Sequence, residues 1–322
     1  MADTVVIGSR GSQLALTQSN WVADQLRRFH EDIEVEVVEY KTSGDKNLAA
    51  SLSELGGKGA FTKELEDALL QNKCDLAVHS LKDLPTELPD GLRIACTPTR
   101  ETIEDSLIYR KRIGTVDDDS DALAFLAKGA TVGTSSLRRK AMLLARRPDL
   151  NVIEWRGNVD TRLAKLAEGG ADAIILASAG LSRLGLIDFS TRPDRVDSRF
   201  DALALKPKTW LPAVGQGALA VETRAGDDRI AHLLAPLHDA ATFASTAAER
   251  AFLNRLGAGC QAPVGAYARV PEGSTLKMIG RVLAKDGSVV VEHQGAGEID
   301  NPRALGVRIA EWCLSHGADK LI

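Results

Sequence analysis

Arginines recur in this 322-residue chain where a short apolar run gives way to a helix start. The densest stretch is 131–165: TVGTSSLRRK, an apolar and basic run, then NVIEWRGNVDTRLAK. Eight Lys/Arg (138, 139, 140, 146, 147, 156, 162, 165) face three acids (149, 154, 160) there, while the whole chain carries a net charge of −4. Thr134, Ser135 and Ser136 lead into a first helix, with Ser135 or Ser136 as its N-cap, and Asn158 caps a second. Arg138 and Arg139 then fall in the first turn of one helix. Arg156, followed by Gly157, ends the neighbouring strand, and Arg162 lies one turn into the next helix. Strand ends and helix starts meet at one edge of an α/β sheet, where ligands bind. Arginine near a helix N-terminus opposes the dipole, so helix stability does not explain it. The chemistry these residues suit is the binding of a multiply anionic ligand, carboxylate or phosphate, by guanidinium forks. A solvated basic face is the common fate of a charge run; repetition of one plan in two successive units favours the pocket.

Other residues placed for chemistry are scattered. Arg10 and Ser12 sit at the turn after the first strand, where Ser12 is also a natural helix cap. Lys58 ends a polar, Gly-rich loop (41–59) of the kind that forms lids or binding loops. In AVHSLKDLPT, Lys82 and Asp83 crowd the end of a buried strand. A carboxylate flanked by cations at a sheet edge can donate a proton or stabilise positive charge; a plain surface pair is the alternative. His79, inside the apolar strand, reads as a satisfied core histidine. Of four cysteines, Cys74, Cys96 and Cys313 lie in apolar strand or helix patterns. Cys260 lies in the Gly-rich loop LGAGCQAP and is the thiol placed for reaction.

The elements that must hold these residues follow an α/β rhythm. Strands over 4–8, 33–37, 74–80 and 91–97 alternate with helices ending near Phe29 and Leu70. The chain then crosses at 99–104 into a second α/β unit with strands at SLIYR and DAIILA, a helix near 121–128, the two arginine units, and the stretch 179–186 with Arg183. Residues 187–209 read as an irregular surface insertion. LPAVGQGALAVET, with Gln216, returns to an apolar strand. From about Gly226 the pattern becomes a small α+β domain: a helix over 242–256, two strands joined at Asp286-Gly287, and a helix from Pro302 to about His316. Leaving one α/β domain, building a second and coming back predicts two hinged lobes. The expected bounds are 1–98 with 216–238, then 104–211, then 239–322.

Composition limits the alternatives. Aromatics are 4% of residues, too few for a single-strand nucleic-acid platform. The cysteines show neither CxxC nor Cys/His spacing, so no metal and no disulfide framework is expected. No leader pattern and no long apolar run is seen, so the expected setting is cytoplasmic, without membrane contact. A non-catalytic two-lobed anion binder and a nucleic-acid binder are the competing classes.

In chain order, SRGSQLAL, GGKGAFTKELE, AVHSLKDLPT, GTSSLRRK, RGNVDTRL, DAIILASAGLSRLG, LPAVGQGAL and GAGCQAP resemble the porphobilinogen deaminase family along essentially the whole chain. The resemblance implies an α/β fold of two periplasmic-binding-protein-like lobes with a hinge, plus a smaller C-terminal α+β domain. It implies condensation of four porphobilinogen molecules, with loss of ammonia, onto a dipyrromethane cofactor held by a thioether to Cys260, and release of linear hydroxymethylbilane. Asp83 matches the family's catalytic aspartate. Each pyrrole carries an acetate and a propionate, and burying unpaired carboxylates is costly. The resemblance therefore assigns Lys82, Asp83, Thr134, Ser135, Ser136, Arg138, Arg139, Arg156 and Gly157 to the cofactor. It assigns Arg10, Ser12, Lys58, Arg156, Arg162, Arg183 and Gln216 to the substrate. It implies no metal, no nucleic-acid partner and a monomer. Gly11 and Gln13 depart from the first motif and leave Arg10 and Ser12 intact.

Overall fold

The computed structural model describes residues 3–42, 62–110, 123–188, 196, 199–259, 262–271 and 273–322. The first strand, β1 (Asp3–Arg10), runs into α1 (Gln13–Phe29), whose N-cap Ser12 accepts the Ala15 N–H. Then come β2 (Ile33–Tyr40), α2 (Lys63–Leu70), β3 (Leu76–Ser80) and β4 (Leu92–Cys96). After the crossing follow β5 (Asp105–Arg110), β6 (Thr131–Gly133), α3 (Leu137–Arg146), β7 (Asn151–Ile153), α4 (Val159–Ala167), β8 (Ala173–Ala177), α5 (Ser178–Arg183) and β9 (Phe200–Leu205). The chain returns through β10 (Leu219–Arg224) and α6 (Asp228–Leu234). It ends with α7 (Ala240–Arg255), β11 (Val264–Arg269), β12 (Thr275–Leu283), β13 (Val290–Glu298) and α8 (Pro302–Ser315).

The two large sheets share one plan. Their orders are β2-β1-β3-β10-β4 and β7-β6-β8-β5-β9. In each, three strands run parallel and the fourth place is taken by an antiparallel strand. That reversed strand is β5 in one sheet and β10 in the other, the first strand entered after each crossing. Each lobe thus receives its reversed strand from the opposite lobe, and the two crossings lie side by side as a hinge.

Two glycines permit close approaches by the returning crossing. Gly217 (φ +85°) accepts the Glu101 N–H on its carbonyl at 3.1 Å, and a Cβ there would come within 2.5 Å of the Glu101 carbonyl oxygen. Gly215 (φ +72°) packs on the turn after β3, where a Cβ would lie 3.0 Å from Leu81 Cγ. Both conformations suit glycine alone.

Three expectations need correction. Residues 187–209 are not wholly an irregular insertion, because Phe200–Leu205 forms the edge strand β9 on β5, with Phe200 fully buried. Phe200 and Ala202 face one core cluster of the lobe and Leu203 and Leu205 the other, so both faces of β9 pack, although its polar flanks mask it. The C-terminal sheet has three strands among the described residues, β11 being hidden in the Gly-rich run after the loop. Residues 123–126 form a turn rather than helix.

The third domain braces the second lobe from behind. At the β12–β13 hairpin, a Cβ on Gly287 would come within 2.3 Å of the Ala145 backbone nitrogen, so the hairpin tip seats directly on α3. Leu283 joins the core of the second lobe with Met142 and Trp210. Glu249 of α7 ties three segments together. Fully buried, it accepts both Arg100 terminal nitrogens (2.7 and 3.0 Å), the Gly215 N–H (2.7 Å) and the Ala268 N–H (2.8 Å). Removing one partner of such a pair strands the other charge. Glu249→Leu is expected to cost about 3–5 kcal/mol of unfolding free energy, read from urea denaturation; a loss under about 1 kcal/mol would show that the junction does not hold the domains.

Candidate active site

One wall of the site is the turn leaving β3. Ser80 exchanges hydrogen bonds with Gln18 of α1 (2.9 Å). Leu81 and Leu84 are buried and anchor a 3-10 turn, Leu81–Asp83, which leaves Asp83 exposed and Lys82 half-buried. His79 is bound to the buried Glu222 at 3.0 Å, as a core histidine should be.

The facing wall is the start of α3. Its three hydroxyl residues hold the loop. Ser136 is the N-cap and accepts the Arg139 N–H (3.4 Å), Thr134 Oγ1 accepts the Ser136 N–H (3.2 Å), and Ser135 Oγ accepts the Trp155 N–H (3.1 Å). Arg138 and Arg139 consequently turn inward and are only 3% and 6% exposed. Between them lies Asp105, the first residue of β5, fully buried. Arg138 Nη2 donates to its Oδ2 (2.8 Å) and Arg139 Nη2 to its Oδ1 (2.6 Å). The Trp210 indole N–H adds a bond to Oδ2 (2.8 Å) and Gln216 Nε2 one to Oδ1 (3.0 Å). Burial alone would raise the Asp105 carboxyl; the two guanidiniums outweigh it and hold it far below the ordinary carboxylate range. Arg138 is itself lowered, by burial first and then by Arg139, with Asp105 opposing. The second Nη of each arginine reaches a backbone carbonyl, Leu211 (2.7 Å) for Arg138 and Ile175 (2.8 Å) for Arg139.

The reading of residues 131–165 does not find Asp105, which lies outside that stretch. Its one sequence signal is an acid opening a strand that proves buried throughout. Trp210 carries no clear sequence signal either, sitting between a polar run and the hinge.

Arg162 of α4 joins the same group. Its Nε donates to the Gly157 carbonyl (2.7 Å), and its pKa falls to about 10, chiefly through burial and then Arg139, with Asp83 opposing. Arg156 pairs with Glu154 at 2.6 Å on a more exposed edge. Arg183 ends α5 and donates to the Gly217 carbonyl (2.7 Å); burial takes it to about 10 against the pull of Glu101. Gln216 is turned into the crossing, its Nε2 also meeting the Ile103 carbonyl (2.8 Å), while its buried Oε1 has no partner. Arg10 and Ser12 lie together where β1 passes into α1. Arg147, counted in the basic run, is structural: it clasps Asp149 (2.7 Å) and the Leu123 carbonyl (2.7 Å). Lys58 and Cys260 lie outside the described residues.

Lys82 is the meeting point of the two walls. Burial depresses its ammonium to about 8; Asp83 opposes, and Arg139, Asp105 and Arg138 all act on it. Lys82, Arg138, Arg139 and Arg162 thus share one neighbourhood with Asp83 and Asp105, an excess of positive charge. The Nε atoms of Arg138 and Arg139 are buried without a partner. A dipyrrole bearing acetate and propionate groups fits this donor set, because fixed guanidiniums offset carboxylates in a site of low polarity. Among the described residues, no cluster of three His, Cys, Asp or Glu side chains is arranged to hold a metal, and no helix is long and apolar enough to cross a membrane.

Fold and site together define a hinged α/β protein of two matching lobes, carrying a third α+β domain and a cation-rich seam suited to a polyacid. A family model described as the dipyrromethane cofactor-binding domain of porphobilinogen deaminase matches residues 5–232, and one for that enzyme's C-terminal domain matches 243–314. The chain belongs to the porphobilinogen deaminase family. Relatives of that name are 46% identical in Syntrophotalea carbinolica (98% of this chain, 94% of the relative) and 45% identical in Brevibacillus brevis (98% and 96%). Among solved structures, the VFT2 domain of Bordetella pertussis BvgS is similar at a TM-score of 0.41 and 16% identity, over 72% of this chain and 84% of that one.

The lowered Lys82 has a consequence for stability. Between about 8 and the ordinary 10.5, the folded protein holds less proton at Lys82 than the unfolded chain, so stability rises with pH across that window. Below about 8 the charged ammonium's cost is fully present. Lys82→Met should therefore be more stable than the parent at neutral pH, with the gain fading as pH climbs to 10.5. Urea midpoints measured across that range check this; a variant no more stable at neutral pH would contradict it.

Proposed function

We propose that this chain is the hydroxymethylbilane synthase, a transferase joining four porphobilinogen molecules head to tail with loss of ammonia. The observation that carries the reading is the meeting of Asp83 and Lys82 with Arg138, Arg139 and Arg162 across the two lobes, within a chain of this family over nearly its whole length. When bound through Cys260, the dipyrromethane supplies the nucleophilic pyrrole carbon to which the units are added. Three of the four cysteines support that attachment point by their own unsuitability. Cys74, Cys96 and Cys313 are buried, and burial raises their thiols to about 11, 12 and 11. A thiol must ionise to act as a nucleophile, so these are inert.

Arg138, Arg139 and Arg156 bind the cofactor's carboxylates, with Thr134, Ser135, Ser136 and Gly157 shaping the loop that presents them. Arg10, Ser12, Lys58, Arg162, Arg183 and Gln216 serve the carboxylates of substrate and product. Asp83, exposed on its turn, gives a proton to the departing amine. It then stabilises positive charge on the pyrrole nitrogen and takes up the ring proton. Lobe bounds of 1–98 with 216–238, 104–211 and 239–322, a monomeric state and a cytoplasmic setting complete the proposal. The hinge placement of Gly215 and Gly217 supports the bounds.

Two measurements test this. Intact mass of the purified protein should exceed the polypeptide by one dipyrrole, and Cys260→Ser should lack the increment; an unmodified mass in active protein would falsify the primer assignment. Asp83→Asn should keep that increment while turnover falls by about 10²–10⁴. Turnover within a few-fold of the parent would remove Asp83 from the chemistry.

A further inference from the structure

Asp105 has no part in the roles above, yet it is the most heavily bonded carboxylate of the site. It takes donors from four residues on three separate segments: Arg138 and Arg139 at the start of α3, Trp210 before the return crossing, and Gln216 within it. Each oxygen receives one guanidinium and one neutral N–H. A carboxylate in that arrangement is immobile, and it immobilises both arginines. Gln216 Nε2 also binds the Ile103 and Glu104 carbonyls of the outgoing crossing (2.8 and 3.2 Å), so the same amide touches Asp105 and the hinge.

The sign of the charge is the informative point. A seam that collects carboxylates is weakened by an acid at its base, since every negative charge there repels the ligand. Asp105 is nonetheless buried between the two arginines. Without it, two neighbouring guanidiniums in a nearly dry site would repel one another and splay apart. What Asp105 contributes is geometry, at some expense in attraction.

We propose that Asp105 is a positioning residue for this site: it locks Arg138 and Arg139 into one rigid guanidinium pair and, through Gln216, fixes that pair relative to the crossing between the lobes. This rests on the reading that the pair faces the carboxylates of the dipyrrole primer and of porphobilinogen. The locked pair presents its remaining N–H groups in a constant spacing, so carboxylates arriving in succession meet the same donors.

Asp105→Asn in the full-length protein separates positioning from mere charge offset, because the two predict opposite changes. If Asp105 only offsets charge, removing it makes the site more positive and the KM for porphobilinogen falls. Positioning predicts that KM rises about tenfold or more, and that the fraction of chains carrying the dipyrrole increment in intact mass drops. Loss of the increment from a variant with parental circular dichroism also supports the proposal. A KM unchanged or lowered, with a parental increment, overturns it. Should Asp105→Asn fail to fold, Trp210→Phe decides: it removes one donor to Asp105 and no charge. There a rise in KM of roughly two- to threefold with the increment retained supports the proposal, and an unchanged KM overturns it. If the parent itself carries no dipyrrole increment, it is the function proposed above that fails, and the two failures are distinguishable.

Discussion

Two guanidiniums held side by side under a binding seam are an unstable arrangement. Each lost its water on burial, and each repels the other in a medium that screens poorly. The structure of this protein turns on how that repulsion is met. Asp105 lies between Arg138 and Arg139 and is bonded to both. Trp210 and Gln216 occupy its remaining lone pairs, so nothing at this carboxylate is left unpaired. The group is worth little as a net source of stability, because burying three charges costs nearly what their attraction returns. Its value is that it has one geometry.

The rest of the molecule serves that geometry. Asp105 is the first residue after the outgoing crossing and Gln216 lies in the returning one, so the arginine pair is referenced to the hinge rather than to one lobe. The crossings approach closely enough for this because Gly217 carries no side chain, and Gly215 lets the returning crossing pack on the turn after β3. From behind, the Gly287 hairpin of the third domain presses on Ala141 and Ala145 of α3, the helix whose first turn holds the arginines. Glu249 binds Arg100, Gly215 and Ala268, linking crossing, hinge and third domain in a single buried carboxylate. The C-terminal domain is thus a brace for the site as well as the carrier of Cys260.

An excess of fixed cations has an electrostatic cost without a ligand. Lys82, Arg138, Arg162 and Arg183 are all lowered, burial leading in each case. A polyacid entering the seam relieves that cost by supplying the missing negative charge. In the proposed function, part of the affinity for acidic pyrroles therefore comes from strain already present in the ligand-free protein. Arginine suits this use, since it keeps its charge when buried, whereas Lys82 has already moved toward neutrality.

Much of the protein is legible from residues near one another in the chain. The period of α1, the cap Ser12, a cap at Ser135 or Ser136 and the Asp286-Gly287 hairpin follow from local rules, and the eight ordered motifs carry the family resemblance. What local rules could not show is where each arginine points. Arg138 and Arg139 read equally well as exposed hooks for a ligand, and only the fold reveals them buried on an acid 33 and 34 residues away, with Gln216 joining from 111 residues beyond Asp105. Strand β9 was obscured for a related reason, because an edge strand takes its partner from β5, about ninety residues earlier in the chain, and its polar flanks look like loop. Chemistry carried by residue type and short spacing is written in the sequence. Charge pairing between distant segments is decided by the tertiary structure, because burial sets both the cost of an unpaired charge and the choice of its partner.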